Sequence, residues 1–80
     1  MTTTETNCRV RVTDVRVTTS EDGIRQATVH GFSASDMYSA NAAVHRLASM
    51  LGIRPGFDTH YTGEAEDGNG SVWHIIELLP

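Results

Sequence analysis

FSASDMYSANAAVHRLASMLG, residues 32–52, carries the pattern on which the fold reading turns. Met37, Ala40, Val44, Leu47, Ala48 and Leu51 recur at i, i+3, i+4 spacing and form one apolar stripe. Tyr38, Asn41, His45 and Ser49 fall on the opposite side. The spacing predicts a helix over residues 34–51. Ser33 stands at the N-cap with Asp36 three residues on, and Phe32 and Met37 occupy the positions of a hydrophobic staple. Asp36 early and His45 and Arg46 late suit the helix dipole. Gly52 supplies a left-handed residue after the last turn, and Pro55 keeps the helix from resuming.

Upstream, residues 1–7 read as a Thr-rich, frayed tail. From Cys8 to Thr18 the chain alternates. Cys8, Val10 and Val12 share one parity; after Asp14 the apolar positions move to Val15 and Val17. Such a switch marks a bulge, or a crossing from one side of a core to the other. Glu21-Asp22-Gly23 is a turn, and Ile24 to Phe32 is rich in strand formers, which makes a first hairpin with a connection longer than two residues.

Downstream, Phe57–Glu66 and Ser71–Leu79 form a second hairpin around Asp67-Gly68-Asn69-Gly70. Its second arm is apolar on both parities, as a central strand would be. The order is ββαββ: an α+β domain with a four-stranded, mostly antiparallel sheet and one helix packed on one face.

Eighty residues make a single domain, 1–80, and 39% hydrophobic with 20% charged residues is an ordinary globular composition. One cysteine excludes an internal disulfide and suits a reducing cytoplasm. No apolar run approaches the roughly 20 residues that cross a bilayer, and the polar start is unlike a signal peptide. The expectation is a cytoplasmic protein with no membrane contact. Net charge is −4, and all six basic residues are arginine. Arg9, Arg11, Arg16 and Arg25 are balanced by neighbouring acids, whereas Asp58, Glu64, Glu66, Asp67 and Glu77 have no arginine after Pro55 to offset them. That acidic half is either a solvated surface or a face that attracts a basic partner.

Catalytic chemistry finds little support. His30, His45, His60 and His74 show none of the spacings of a metal site, and Cys8 has no CxxC partner. Cys8 reads as a core residue. No nucleophile elbow accompanies the Ser, His and Asp present, and Glu64 and Glu66 read as solvated acids. Gly68-Asn69-Gly70 precedes a strand, so it is a turn and not a phosphate loop. The expectation is no enzyme, no metal and no cofactor. Arg9, Arg11, Arg16 and Arg25 could form a basic stripe for nucleic acid, but ion pairs with nearby acids are the simpler reading, with no direct nucleic-acid contact.

With a four-residue 67–70 turn, cross-strand pairs sum to 137: Tyr61 faces Ile76, Ala65 faces Val72, Glu64 faces Trp73, Thr62 faces Ile75 and His60 faces Glu77. One helix covers one face only. In that register Trp73 and Ile75 stand on the open face, rimmed by Asp58, Glu64, Glu66, Asp67 and Glu77, which together form the expected protein-binding surface. A slip of one residue instead makes Trp73 core.

The Thr-rich start, strand pair, helix Ala34–Leu51, acidic strand and Trp-containing final strand together resemble, in size, charge and layout, the small acidic anti-CRISPR proteins of phages and mobile elements. The likeness is greatest to those that inhibit type I surveillance complexes, with subtype I-C foremost. It implies a protein partner, a subunit of a Cas effector complex, bound so that target DNA is excluded. The competing expectations are a homodimeric accessory domain that buries the open face, and a nucleic-acid module built on the arginine strand. The chain itself is expected to be a monomer or a homodimer.

Overall fold

In the computed structural model, which describes residues 9–79, the chain runs β1 (Val10–Thr19), β2 (Arg25–Val29), β3 (Phe32–Asp36), α1 (Ala40–Met50), β4 (Asp58–Glu64) and β5 (Ser71–Leu78). The expectations for the 1–7 tail and for Cys8 lie outside the described residues. All strand pairs are antiparallel, in one five-stranded sheet ordered β3-β2-β1-β5-β4. The α+β class with one helix on one face stands; the described residues form five strands, not four.

The extra strand is β3, at the start of the stretch read as helical. Val29 and Phe32 pair across a two-residue turn whose central residues, His30 and Gly31, have φ of 50° and 84°. Positive φ at both positions is the type I′ geometry that matches the twist of a hairpin. The chain therefore turns back at Gly31, and Ala34 and Asp36 alternate inward while Ser33 and Ser35 point out. The helix starts six residues later than expected. Asp36 Oδ1 accepts the Tyr38 N–H at 2.9 Å, and Ser39 is the true N-cap, its Oγ accepting the Ala42 N–H at 3.0 Å. The far end is as read: Gly52 has φ 78°, its N–H bonds to Ser49 O at 3.1 Å, and the Ile53 N–H bonds to Ala48 O at 3.0 Å, closing a Schellman motif.

Ala43, Val44, Leu47 and Ala48 of α1 are buried against Val15, Val17, Ala27, Ala34 and Ile75 of the sheet. The side chains that meet the helix are small on β2 and β3 (Ala27, Ala34) and large on β1 and β5, so the helix sits close over the β3 side. β1 contains no bulge. Its register with β5 is continuous from Val10↔Leu78 to Val17↔Ser71. The parity switch arises because the apolar residues at the two ends of this one regular strand lie on opposite faces of the sheet.

The bulge is in β4. Tyr61 pairs with Trp73 and Gly63 with Val72, leaving Thr62 extra, with its Oγ1 donating to Val72 O at 2.8 Å. The 137 register is thereby overturned: Tyr61 faces Trp73 rather than Ile76, and Glu64 faces Ser71 rather than Trp73. The cause is a longer connection. Ala65 turns inward, 5% exposed; its N–H bonds to Gly70 O, and Asp67 Oδ1 accepts the Asn69 N–H, both at 2.9 Å. Gly70, at φ 92°, lies under β1, where a Cβ would collide with the Val17 carbonyl oxygen and crowd the Thr18 side chain.

Candidate protein-binding face

Strand alternation and the β1–β5 register decide which side chains remain uncovered. Val15, Val17 and Ile75 face the helix, so Val10, Val12, Ile76 and Leu78 face the other way. Val10 pairs with Leu78 and Val12 with Ile76, which makes a contiguous apolar block on the sheet face that no helix among the described residues covers. Val10 and Val12 are each 49% exposed and Leu78 68%; Ile76 is half-buried. Val72 extends the same face towards the β4–β5 loop, opposite Arg16.

Polar groups border this block. Asp58 lies beside Ile76 on β4, exposed. The next row across the sheet is Asp14, His74 and His60, with His74 Nε2 2.9 Å from Asp14 Oδ1. Beyond it, Arg16 donates to Asp67 Oδ2 at 2.8 Å. That hydrogen bond, and then the one from the Asn69 N–H, hold the Asp67 carboxyl below its ordinary value. A depressed carboxylate stabilises the fold above the pKa it has when unfolded, and that contribution is lost as pH falls through the folded value. In an NMR titration, Arg16→Gln is expected to move the Asp67 midpoint upward; an unmoved midpoint would contradict the assigned cause.

The structure distributes the expected binding residues differently. Ile75 is fully buried in the core. Trp73 is half-buried on the helix side, packed against the core, edge-on to Tyr61 at 5.7 Å between ring centroids, with its Nε1–H donating to Ser71 Oγ at 3.2 Å. Glu77 is 9% exposed, also on the helix side, with Oε1 3.6 Å from Arg11 Nη1. Glu64 is exposed, but the bulge turns it to the helix side; Glu66 and Asp67 are exposed in the β4–β5 loop. Of the seven residues, Asp58 alone lies on the open strand face beside the apolar block. The exposed placement of Trp73 and Ile75 is corrected: the parity of β5 is the reverse of the one its turn suggested.

The residues that do form the block are visible in the sequence as apolar parities of β1 and β5, but the 137 register turns Ile76 and Leu78 to the helix side. Arg11, Arg16 and Arg25 form no common stripe. Arg16 lies on the open face against Asp67, Arg11 on the helix face against Glu77, and Arg25 donates to Gly23 O at 3.1 Å. Among the described residues, no group of three or more His, Cys, Asp or Glu is placed to hold a metal, and no helix is long and apolar enough to cross a membrane. No protein-family model, no curated protein and no solved structure matches the chain.

Proposed function

We propose that this protein acts by binding another protein, without turnover, through the open face of its sheet. The observation that supports this reading is the block of exposed Val10, Val12 and Leu78 around the half-buried Ile76. Four aliphatic side chains in register on one open face, three of them about half exposed or more, are costly to leave in water, and burying their remaining apolar surface against a partner contributes roughly 25 cal/mol per Å². Asp14 and Asp58 on the same face favour a partner with basic groups around an apolar centre. A protein that normally grips nucleic acid has that character. The resemblance in size, charge and layout to anti-CRISPR proteins narrows the partner to a subunit of a type I CRISPR-Cas surveillance complex, subtype I-C first, with inhibition arising from exclusion of target DNA.

The test is a gel shift with purified subtype I-C effector complex and labelled target duplex. Pre-incubation with excess chain is expected to abolish the effector–DNA band, while the chain alone leaves the duplex unshifted. An undiminished effector–DNA band would sink the proposed partner, and a direct shift of the duplex by the chain would favour a nucleic-acid module instead.

A further inference from the structure

The two edges of the sheet are built differently. β4 carries Asp58 and Glu64 and a bulge at Tyr61/Gly63, the devices that keep a sheet edge from pairing. β3 has no bulge, and its one charged side chain, Asp36, lies at its end, buried beside Arg46. Ser33, Ala34 and Ser35 are small and uncharged, with Ser33 and Ser35 exposed. Because Val29 and Phe32 close a two-residue turn, they are the pair that exchanges backbone hydrogen bonds. Alternation then commits Ala34 and Asp36 to β2 and turns the N–H and C=O groups of Ser33 and Ser35 towards the free edge. Beside that edge, between β3 and the last turns of α1, runs an open trough of 730 Å³ lined by Ser33, Ala34, Ser35, Arg46, Ser49 and Met50. Met50, which lines it, is 53% exposed, and Phe32, next to Ser33 on β3, is 49% exposed.

We propose that two copies of this chain join through their β3 edges, antiparallel and about a two-fold axis at Ala34, into one continuous ten-stranded sheet. The segment is self-complementary in that arrangement. Ser33 of each copy faces Ser35 of the other, so the outward backbone groups of both serines meet as hydrogen-bonded pairs, with Ala34 against Ala34 between them. The axis is perpendicular to the sheet, which puts both helices on one side, and Met50 of each copy fills the trough beside the other.

Charge selects a second copy as the occupant. The uncompensated acids Asp58 and Glu64 lie four strands away, about 19 Å at the usual spacing, beyond the roughly 8 Å reach of a charge at physiological salt. Charges near the edge are of both signs: Asp36 sits 4.0 Å from Arg46, and Arg25 follows the turn that carries Asp22. The two-fold pairs Asp36 with Phe32 of the other copy and leaves the two Asp36 side chains about 13 Å apart, four residues along the strand. Pairing through β4 would instead bring the acids of both copies together.

Sedimentation from low to several hundred micromolar tests this. The wild-type chain is expected to reach twice its 8.7 kDa mass. Ser33→Lys with Ser35→Lys, and Ser33→Glu with Ser35→Glu, are each expected to sediment as monomers with the circular dichroism of the wild type, because like charges then face each other. Mixing the two variants is expected to restore the dimer. A wild-type chain that stays monomeric throughout overturns the proposal without reference to any variant. So do variants that remain dimeric, a mixture that stays monomeric, or β3 amides of a monomeric chain that gain protection only with an effector complex, which would assign the edge to that partner.

Discussion

Leu47→Ala is expected to lower the free energy of unfolding by about 2–5 kcal/mol. Leu47 is wholly buried and is among the largest side chains in a core otherwise made of valines, alanines and one isoleucine. Small neighbours on β2 and β3 cannot expand to fill the space a leucine leaves. The backbone of α1 is also held at both ends, by Ser39 and by the Schellman motif, so the helix cannot simply settle inward. A domain of this size holds roughly 4–12 kcal/mol in total, so the loss takes a large share of it. Ser49→Ala, on the exposed side of the same helix, should change stability by less than about 0.5 kcal/mol. Urea titration of both variants checks the pair; an unchanged midpoint for Leu47→Ala would show that the stripe does not face the sheet.

The second large effect concerns binding. Val12→Asp combined with Leu78→Asp is expected to weaken the partner complex by more than about 100-fold, since two apolar anchors contribute roughly 3 kcal/mol or more and each 1.4 kcal/mol is tenfold. Aspartate preserves the acidic character of the face. A basic partner would therefore still be attracted, and the loss isolates the apolar contribution. The fold should tolerate the change at a cost of order 1 kcal/mol per site, because Val12 is 49% and Leu78 68% exposed. Trp73→Ala belongs to the other class. With Trp73 packed on the core and on Tyr61, its truncation is expected to act first on stability, contrary to its reading as an exposed anchor.

The parts of the fold legible in the sequence are those where a side-chain type has one common use. Gly52 and Pro55 mark a helix end almost unambiguously, and the period of Val44, Leu47 and Ala48 allows little but a buried helical stripe. The start of the helix was not legible, because Ser33, Ala34, Ser35 and Asp36 serve equally as a capping sequence and as a narrow edge strand. The deciding feature was the His30-Gly31 turn, and histidine is a rarer choice than asparagine for its first position. Register failed for a similar reason. Counting from Asp67–Gly70 as a four-residue turn ignored the bulge at Thr62 and the inward turn of Ala65, and together these reversed the assignment of Trp73 and Ile75 to the two faces. The parity switch at Asp14 held the missing information: a regular strand with apolar residues on opposite faces at its two ends must leave one pair uncovered when only one helix is present.

The claim that the open sheet face is the contact surface is tested most directly by methyl NMR of the chain titrated with subtype I-C effector complex. The methyl signals of Val10, Val12, Ile76 and Leu78 are expected to shift or broaden together, while those of Val44 and Leu47, sealed between the helix and the sheet, stay in place. Perturbation centred on α1 and Tyr61, with the open-face methyls unmoved, would contradict it.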